Sequence, residues 1–533
     1  MDALTYPYPS RRSVVYAERG MVATSQPLAA QAGLEVLRRG GNAIDAAVAA
    51  AACLTVVEPT SNGIGADAFA IIYHQGKLYG LNASGPAPLS LTAEHMRSAG
   101  HVTMPRFGLA PVTVPGAPAA WAALMERFGR LGLEAALAPA IEYARDGYPL
   151  SPVLGKYWAA AQRAYARALQ GPVHESFLAT FMPGGRAPRI GEKWRSPGHA
   201  ATLEAIARTG ARDFYEGELA QRIAAFCKQH GGYLSEEDLA SFAPEWVEPL
   251  GVSYRGYDVW ELPPNGQGVV ALQTLQILKQ LGPDLGAGER FTHLQIEALK
   301  LAFADGLQVI TDPKTMAVSA SALLDETYAR QRAALIGEEA GVPFPGSPPK
   351  GGTVYLATAD RDGSMVSFIQ SNYMGFGAGV VIPDTGISLQ NRGHTFSLDA
   401  THANYLEPGK RTYHTIISGF LTKDGEAVGP FGVMGGYMQP QGHVQVVMNM
   451  LDLGMNPQAA LDAPRWQWHE GRKVEVERGI PEHVAQALAR RGHEVTVALD
   501  SGGFGRGQII LRDAQGILAG GTEPRTDGQI AAW

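Results

Sequence analysis

A mixed α/β fold, with sheets covered by helices, is what this sequence predicts. Three observations point to it. Helical and strand-like stretches arrive in blocks along 533 residues, no internal repeat is present, and the richest proline–glycine run, residues 337–351, is followed by a change of texture. Blocks of this kind fit layers that share a core better than separate beads. Length alone would admit two to four domains. Hydrophobic content of 45% and charged content of 18% suit a globular chain with a sizeable core.

The elements follow in order. SQPLAAQAGLEVLRRGGNAIDAAVAAAACLTVVEP reads as a helical hairpin, broken at Gly40-Gly41, with Asn42 capping the second helix. GADAFAIIYHQGKLYGLNASG reads as two strands joined at His74-Gln75-Gly76-Lys77. From Pro115 to about Leu234 the pattern is mostly helical. VEPLGVSYRGYDVWELPP is strand-like, and two helices run from there through Ala304. Beyond the linker, residues 353–380 form a hairpin about DRDG, with strands again in HTIISGFLTKDGEAVGPFGVMGG and RGQIILRDAQGILAGG. The helix GHVQVVMNMLDLG lies between these last two.

Several function classes drop out. A net charge of −7 without a basic stripe argues against nucleic acid as a partner. Two cysteines, Cys53 and Cys227, exclude a disulfide framework and CxxC zinc sites. The start lacks the apolar core of a secretory signal, and AIDAAVAAAACLTVV carries Asp45 and is too short to span a bilayer. No membrane partner is expected, and the expected compartment is the cytoplasm. His394, His402, His414 and His443 crowd the C-terminal part without a recognised ligand spacing, so no metal and no cofactor are expected.

PKGGTVYLATADRDGSMVSFIQSN raises a chemical question. Gly351-Gly352 before Thr353 is either an ordinary loop leading into a strand or a place where the chain is cut. A cut between Gly352 and Thr353 would give Thr353 an α-amine with a pKa near 8, on the same residue as the hydroxyl it would deprotonate. Folding about DRDG sets Ser371 opposite Thr353 to within a residue or two, where its hydroxyl could orient Oγ1 or simply face solvent. Gly435-Gly436 could supply backbone N–H donors for an oxyanion, or be a plain turn.

GGNAIDAAVA, VPGAPAAW, APAIEYARDGYPLS, HGGYLSEEDLASF, the GGT–DRDG–VS block and the MGG of VMGGYMQPQGH, in that order, resemble the γ-glutamyltransferase family from about Ala23 to Gly528. The resemblance implies an N-terminal-nucleophile hydrolase with a four-layer αββα core. It implies self-cleavage into a large segment, 1–352, and a small one, 353–533, which stay together as a heterodimer, with a dimer of these as an open alternative. It also implies Thr353 as nucleophile, Ser371 as the hydroxyl bonded to it, and Gly435 and Gly436 as the oxyanion hole.

The substrate positions depart from the pattern. LNASGPAP (Leu81 to Pro88) has no arginine where glutathione-cleaving members carry one. The family's ligands for the α-amine fall on Arg392, Thr395 and Tyr373, and its Ser-Ser pair on His414 and Thr415. The stretch from Phe396 to Lys410 is short, implying a missing lid. Arg392 would suit a carboxylate and repel an ammonium; alternatively it faces solvent or pairs with Glu407 or Asp399. The expected activity is hydrolysis of a small amide whose acyl group carries a carboxylate: γ-glutamyl, glutaryl or oxamate-like. The alternatives are a true γ-glutamyltransferase or glutathione hydrolase with altered binding residues, and an uncleaved, catalytically weak binding protein.

Overall fold

The computed structural model describes residue 8 and residues 12–286, 288–343 and 353–533. Gly352 and most of the expected linker lie outside the described residues. Two seven-stranded sheets dominate, and every strand pair in them is antiparallel. At the centre of one lie the strands Val354–Asp360 and Met365–Ser371, flanked by Gly20–Thr24 and Asp67–His74. The other holds Arg506–Arg512, Glu426–Met434 and Gly419–Lys423 at its middle.

The layering follows from period-two alternation in the strands. Tyr355, Ala357 and Ala359 point into a core between the sheets, with Phe69, Ile71, Ile369, Phe420, Met434 and Ile510. Val354, Leu356, Val366 and Phe368 point the other way, onto the helices Pro27–Arg38 and Ala43–Val57. On the far side Leu421, Phe431, Val433, Ile509 and Leu511 pack against the helices Gly268–Gln280, Gly288–Val309 and Met438–Leu451. The result is helix, sheet, sheet, helix. Covering both faces of each sheet explains why the central strands Val354–Asp360 and Met365–Ser371 are buried at every position rather than alternating buried with exposed residues.

Local signals were accurate where capping and turn chemistry is strong. Asn42 caps Ala43–Val57 in a capping box with Asp45, and that whole helix is buried. His74 pairs with Lys77 across Gln75 and Gly76, both at positive φ, as a two-residue hairpin turn requires. The hairpin after the linker ends at Ser371, short of the expected 380, because the chain leaves the sheet at Tyr373 with a φ of +74°. The helix expected from Gly442 begins at Met438 instead. Pro440 sits in its first turn, where a missing N–H costs no intrahelical bond. Unforeseen was a small three-stranded sheet, Trp466–Glu470, Lys473–Glu477 and Glu494–Ala498, whose last pair is parallel. Cys53 and Cys227 are both buried and free.

Candidate active site

Thr353 leads the strand Val354–Asp360, whose register pairs Val354 with Gln370. One step further along the hairpin, Thr353 Oγ1 lies 3.1 Å from Ser371 Oγ, and both residues are buried. Ser371 Oγ also accepts the Tyr373 N–H at 2.8 Å. On its other side Thr353 Oγ1 faces Gln439 Nε2 at 3.5 Å. A hydroxyl oxygen thus sits at a strand end, between a second hydroxyl and a side-chain amide.

Gly435 and Gly436 link the strand Glu426–Met434 to the helix Met438–Leu451, with φ of +144° and +63°. A side chain at Gly435 would place its Cβ 3.1 Å from Gly505 Cα. The loop is tied down through Gly436, whose carbonyl accepts the Gln439 N–H at 3.1 Å and Gln267 Nε2 at 2.9 Å. Gln267 Nε2 also donates to the Thr415 carbonyl at 2.6 Å, and its Oε1 accepts the Tyr413 hydroxyl at 2.8 Å. One buried glutamine therefore couples the glycine loop to the segment carrying His414 and Thr415.

Arg392 is buried, with its guanidinium 4.4 Å above the Tyr373 ring. Its Nη1 donates to Thr415 Oγ1 at 2.7 Å, and its Nε stands 3.8 Å from Asp67 Oδ2. Among the described residues Nε and Nη2 make no hydrogen bond, and neither does the buried hydroxyl of Tyr373. The alternative pairings are not made: Glu407 binds Lys410 at 3.0 Å, and Asp399 accepts the hydroxyl and N–H of Thr401. Burial lowers Arg392 to about 10, against the opposing pull of Asp67, which leaves it charged at neutral pH.

His414 Nε2 lies 2.9 Å from Asp67 Oδ2, and its Nδ1 accepts the Ile416 N–H at 3.3 Å. That arrangement assigns the proton to Nε2. Burial, with Arg392 and Arg411 adding to it, holds His414 well below the usual histidine range, so it is neutral. Burial raises Asp67 to about 7, with Arg392, the Gly85 N–H and Arg411 opposing. Thr395, the other expected substrate position, is held by the protein itself. Its hydroxyl binds Arg392 O, Thr412 Oγ1 and Tyr413 O at 2.7, 2.7 and 3.0 Å, fastening the turn that carries Arg392.

The segment after Thr395 is pinned too. Asn404 bonds Thr311, the Thr395 carbonyl, Thr412 and the Tyr413 N–H, while Leu398 and Leu406 pack with Phe396 and Met104. In LNASGPAP, Asn82 and Ser84 bond Asn265 rather than offering a cation, and Arg411 Nε reaches the Ser84 carbonyl at 2.9 Å.

His394, His402, His414 and His443 are held separately. His394 binds the Met104 carbonyl, His402 the Asn404 N–H, His414 Asp67, and His443 Glu261. Three potential ligands do gather elsewhere, at His293, Glu297 and His493. There the two rings bond each other at 2.9 Å and Lys300 donates to Glu297 Oε1 at 2.6 Å, so a cation already neutralises the carboxylate.

Of the expected residues, the structure brings Thr353, Ser371, Tyr373, Arg392, His414 and Thr415 into one chain of contacts. Asp67, Gln267 and Gln439 escaped sequence reasoning. Asp67 had a signal, a carboxylate leading an otherwise apolar strand that pairs Ser371 with Asp67. The glutamines lie in PPNGQG and MGGYMQPQGH, where nothing local marks a polar residue as buried.

The chain matches the family described as Gamma-glutamyltranspeptidase over residues 29–533. It is 39% identical to the glutathione hydrolase-like YwrD proenzyme of Bacillus subtilis, covering 96% of this chain and 98% of that one. The oxamate amidohydrolase proenzyme of Klebsiella pneumoniae is 35% identical, with the same two coverages. The crystal structure of cephalosporin acylase from Bacillus halodurans superposes with a TM-score of 0.96 at 61% identity, over 100% of this chain and 99% of that one. The layered core, the hydroxyl pair at the strand end and these likenesses agree: the chain belongs to the γ-glutamyltranspeptidase family and is an amide-cleaving enzyme of the N-terminal-nucleophile class.

Proposed function

We propose that the chain is cut between Gly352 and Thr353 into segments 1–352 and 353–533 that stay associated. Thr353 then hydrolyses a small-molecule amide whose acyl group bears a carboxylate: γ-glutamyl, glutaryl or oxamate-like. The freed α-amine takes the hydroxyl proton as Oγ1 attacks the carbonyl carbon, and Ser371 orients that hydroxyl. The C=O π pair moves onto oxygen, near N–H donors of the Gly435-Gly436 loop. When the pair returns, the C–N bond breaks and the ammonium gives its proton to the departing nitrogen. Water then attacks the ester by the same route.

The observation that carries the substrate class is Arg392, a buried guanidinium with two unbonded nitrogens beside the unbonded Tyr373 hydroxyl. Asp67 stands 3.8 Å from Arg392 Nε without a hydrogen bond, and burial raises its pKa, so it balances the buried cation poorly. A carboxylate would complete it through charge-assisted bonds. The names of two similar proteins, an oxamate amidohydrolase and a cephalosporin acylase, agree with an amide substrate. The short, pinned stretch from Phe396 to Lys410 favours water over a second amine as acceptor.

A second reading, a γ-glutamyl-specific transferase, draws on Asp67, a buried carboxylate chemically able to take an α-ammonium. One comparison separates them. Once intact mass has shown two fragments meeting at Thr353, hydrolysis of a glutaryl anilide, a γ-glutamyl anilide and oxamate is measured. Preference for glutaryl or oxamate supports the proposal, and strong preference for the γ-glutamyl compound replaces it with the second reading.

A further inference from the structure

Taking Thr353 as the nucleophile proposed above, we propose that Gln439 is a catalytic residue. Its side-chain amide donates a hydrogen bond to the oxygen that gathers negative charge at the reacting centre. Gln439 is fully buried, and its Oε1 accepts the Ile417 N–H at 2.9 Å. That bond fixes which end of the amide is which, since an inverted amide would set N–H against N–H. The amino end is left facing Thr353 Oγ1 at 3.5 Å.

Position strengthens this. Gln439 lies in the first turn of Met438–Leu451, three residues past Gly436, and its backbone N–H holds the Gly436 carbonyl at 3.1 Å. Side chain and glycine loop are thereby tied into one unit next to Thr353. The 3.5 Å contact is to Oγ1 itself; it sets the amide beside the carbon that Oγ1 attacks, where the carbonyl oxygen that gathers charge would accept from it. A donor that binds the transition state better than the ground state raises kcat rather than lowering KM. Gln439 is neutral, so it polarises the centre without suppressing the basicity of the Thr353 amine, as a lysine there would. It exchanges no proton: the hydroxyl proton goes to the amine and onward to the leaving nitrogen, and the electron pair goes to the carbonyl oxygen and back.

The test uses the full chain with Gln439→Met and Gln439→Glu, and Thr353→Ala in parallel. Loss of one oxyanion donor should cut kcat by about 10²–10³-fold, with KM within about threefold for Gln439→Met and a lower melting temperature, because the Ile417 N–H loses its acceptor. Gln439→Glu should be as slow at pH 8 and close the gap to the parent as pH falls, because a protonated carboxyl regains one O–H donor. A purely structural role would leave that gap independent of pH. If Gln439→Met folds but stays uncut, the half-time of chain cleavage becomes the measured rate, since attack on the junction carbonyl forms the same kind of oxyanion. Turnover of Gln439→Met within about threefold of the parent while Thr353→Ala is dead overturns the inference, as does a rise in KM with kcat unchanged. Activity in Thr353→Ala would instead remove the nucleophile itself.

Discussion

Arg392 stacks on Tyr373 at 4.4 Å, while the backbone N–H of the same tyrosine donates to Ser371 Oγ at 2.8 Å. One residue therefore connects a buried cation to the hydroxyl pair at Thr353. Tyr373 does so with a φ of +74°, a left-handed backbone that turns the chain out of the sheet and lays its ring beneath the guanidinium. The proposed carboxylate contact and the proposed nucleophile are thus mechanically joined at this turn.

Removing the cation should therefore cost specificity first. Charge-assisted bonds to a carboxylate are worth about 1.5–3 kcal/mol, so Arg392→Gln should lower kcat/KM for a glutaryl anilide by about 10–150-fold. An anilide with an uncharged acyl group should change by no more than about threefold. Arg392→Lys should recover only part of the loss, because an ammonium lacks the planar fork. Steady-state kinetics on the two anilides checks this, and equal losses on both would refute a carboxylate contact.

The nucleophile makes a sharper prediction. Thr353→Ala should remain a single full-length chain without turnover, whereas Thr353→Ser should retain some cleavage and some activity. Ser371→Ala removes the bond to Thr353 Oγ1, worth about 1 kcal/mol, and the acceptor of the Tyr373 N–H, so kcat should fall by at least about fivefold while two fragments still form. Intact mass and initial rates read both quantities.

In the cleaved enzyme proposed here the base would be an α-amine, whose ordinary pKa is about 7.7–8.0. It must be unprotonated to accept the hydroxyl proton, so kcat/KM should rise with pH and level off above about 8. A profile flat from pH 6 to 9 would point to a different base.

Gly435 should tolerate no side chain. A Cβ there meets Gly505 Cα at 3.1 Å on a backbone at φ +144°. Gly435→Ala should therefore shift the loop and lower kcat by at least about tenfold, with a small change in melting temperature. Unchanged kcat would take this loop out of the oxyanion hole.

Stability should fall in acid through buried histidine. His199 bonds Ser196 Oγ at 2.7 Å, is packed against Phe181 and Trp194, and is held at about 4 by burial. In the unfolded chain it titrates near 6.5, so the unfolded state binds more protons between those values. Its contribution is complete above pH 6.5 and declines as pH falls towards 4, by up to about 3 kcal/mol. His199→Gln should flatten this part of the melting-temperature profile, and an identical slope in the variant would assign the acid sensitivity elsewhere.

What the sequence by itself determined is the local and the ordered. Asn42 with Asp45, the Gln75-Gly76 turn and the DRDG hairpin are short-range features whose hydrogen bonds close within a few residues, so their geometry is written in neighbouring letters. Because the hairpin is short, the pairing of Thr353 with Ser371 was countable too. Tertiary structure alone decided the rest. Whether Arg392 faced solvent, Glu407 or a buried Asp67 depended on a strand more than three hundred residues away. Gln267 and Gln439 became parts of the site only because a helix start, a glycine loop and the end of a central strand are brought together in the fold. Burial is what gives those polar groups their energies, raising Asp67 and lowering His414, and burial comes from contacts among distant segments that no local pattern encodes.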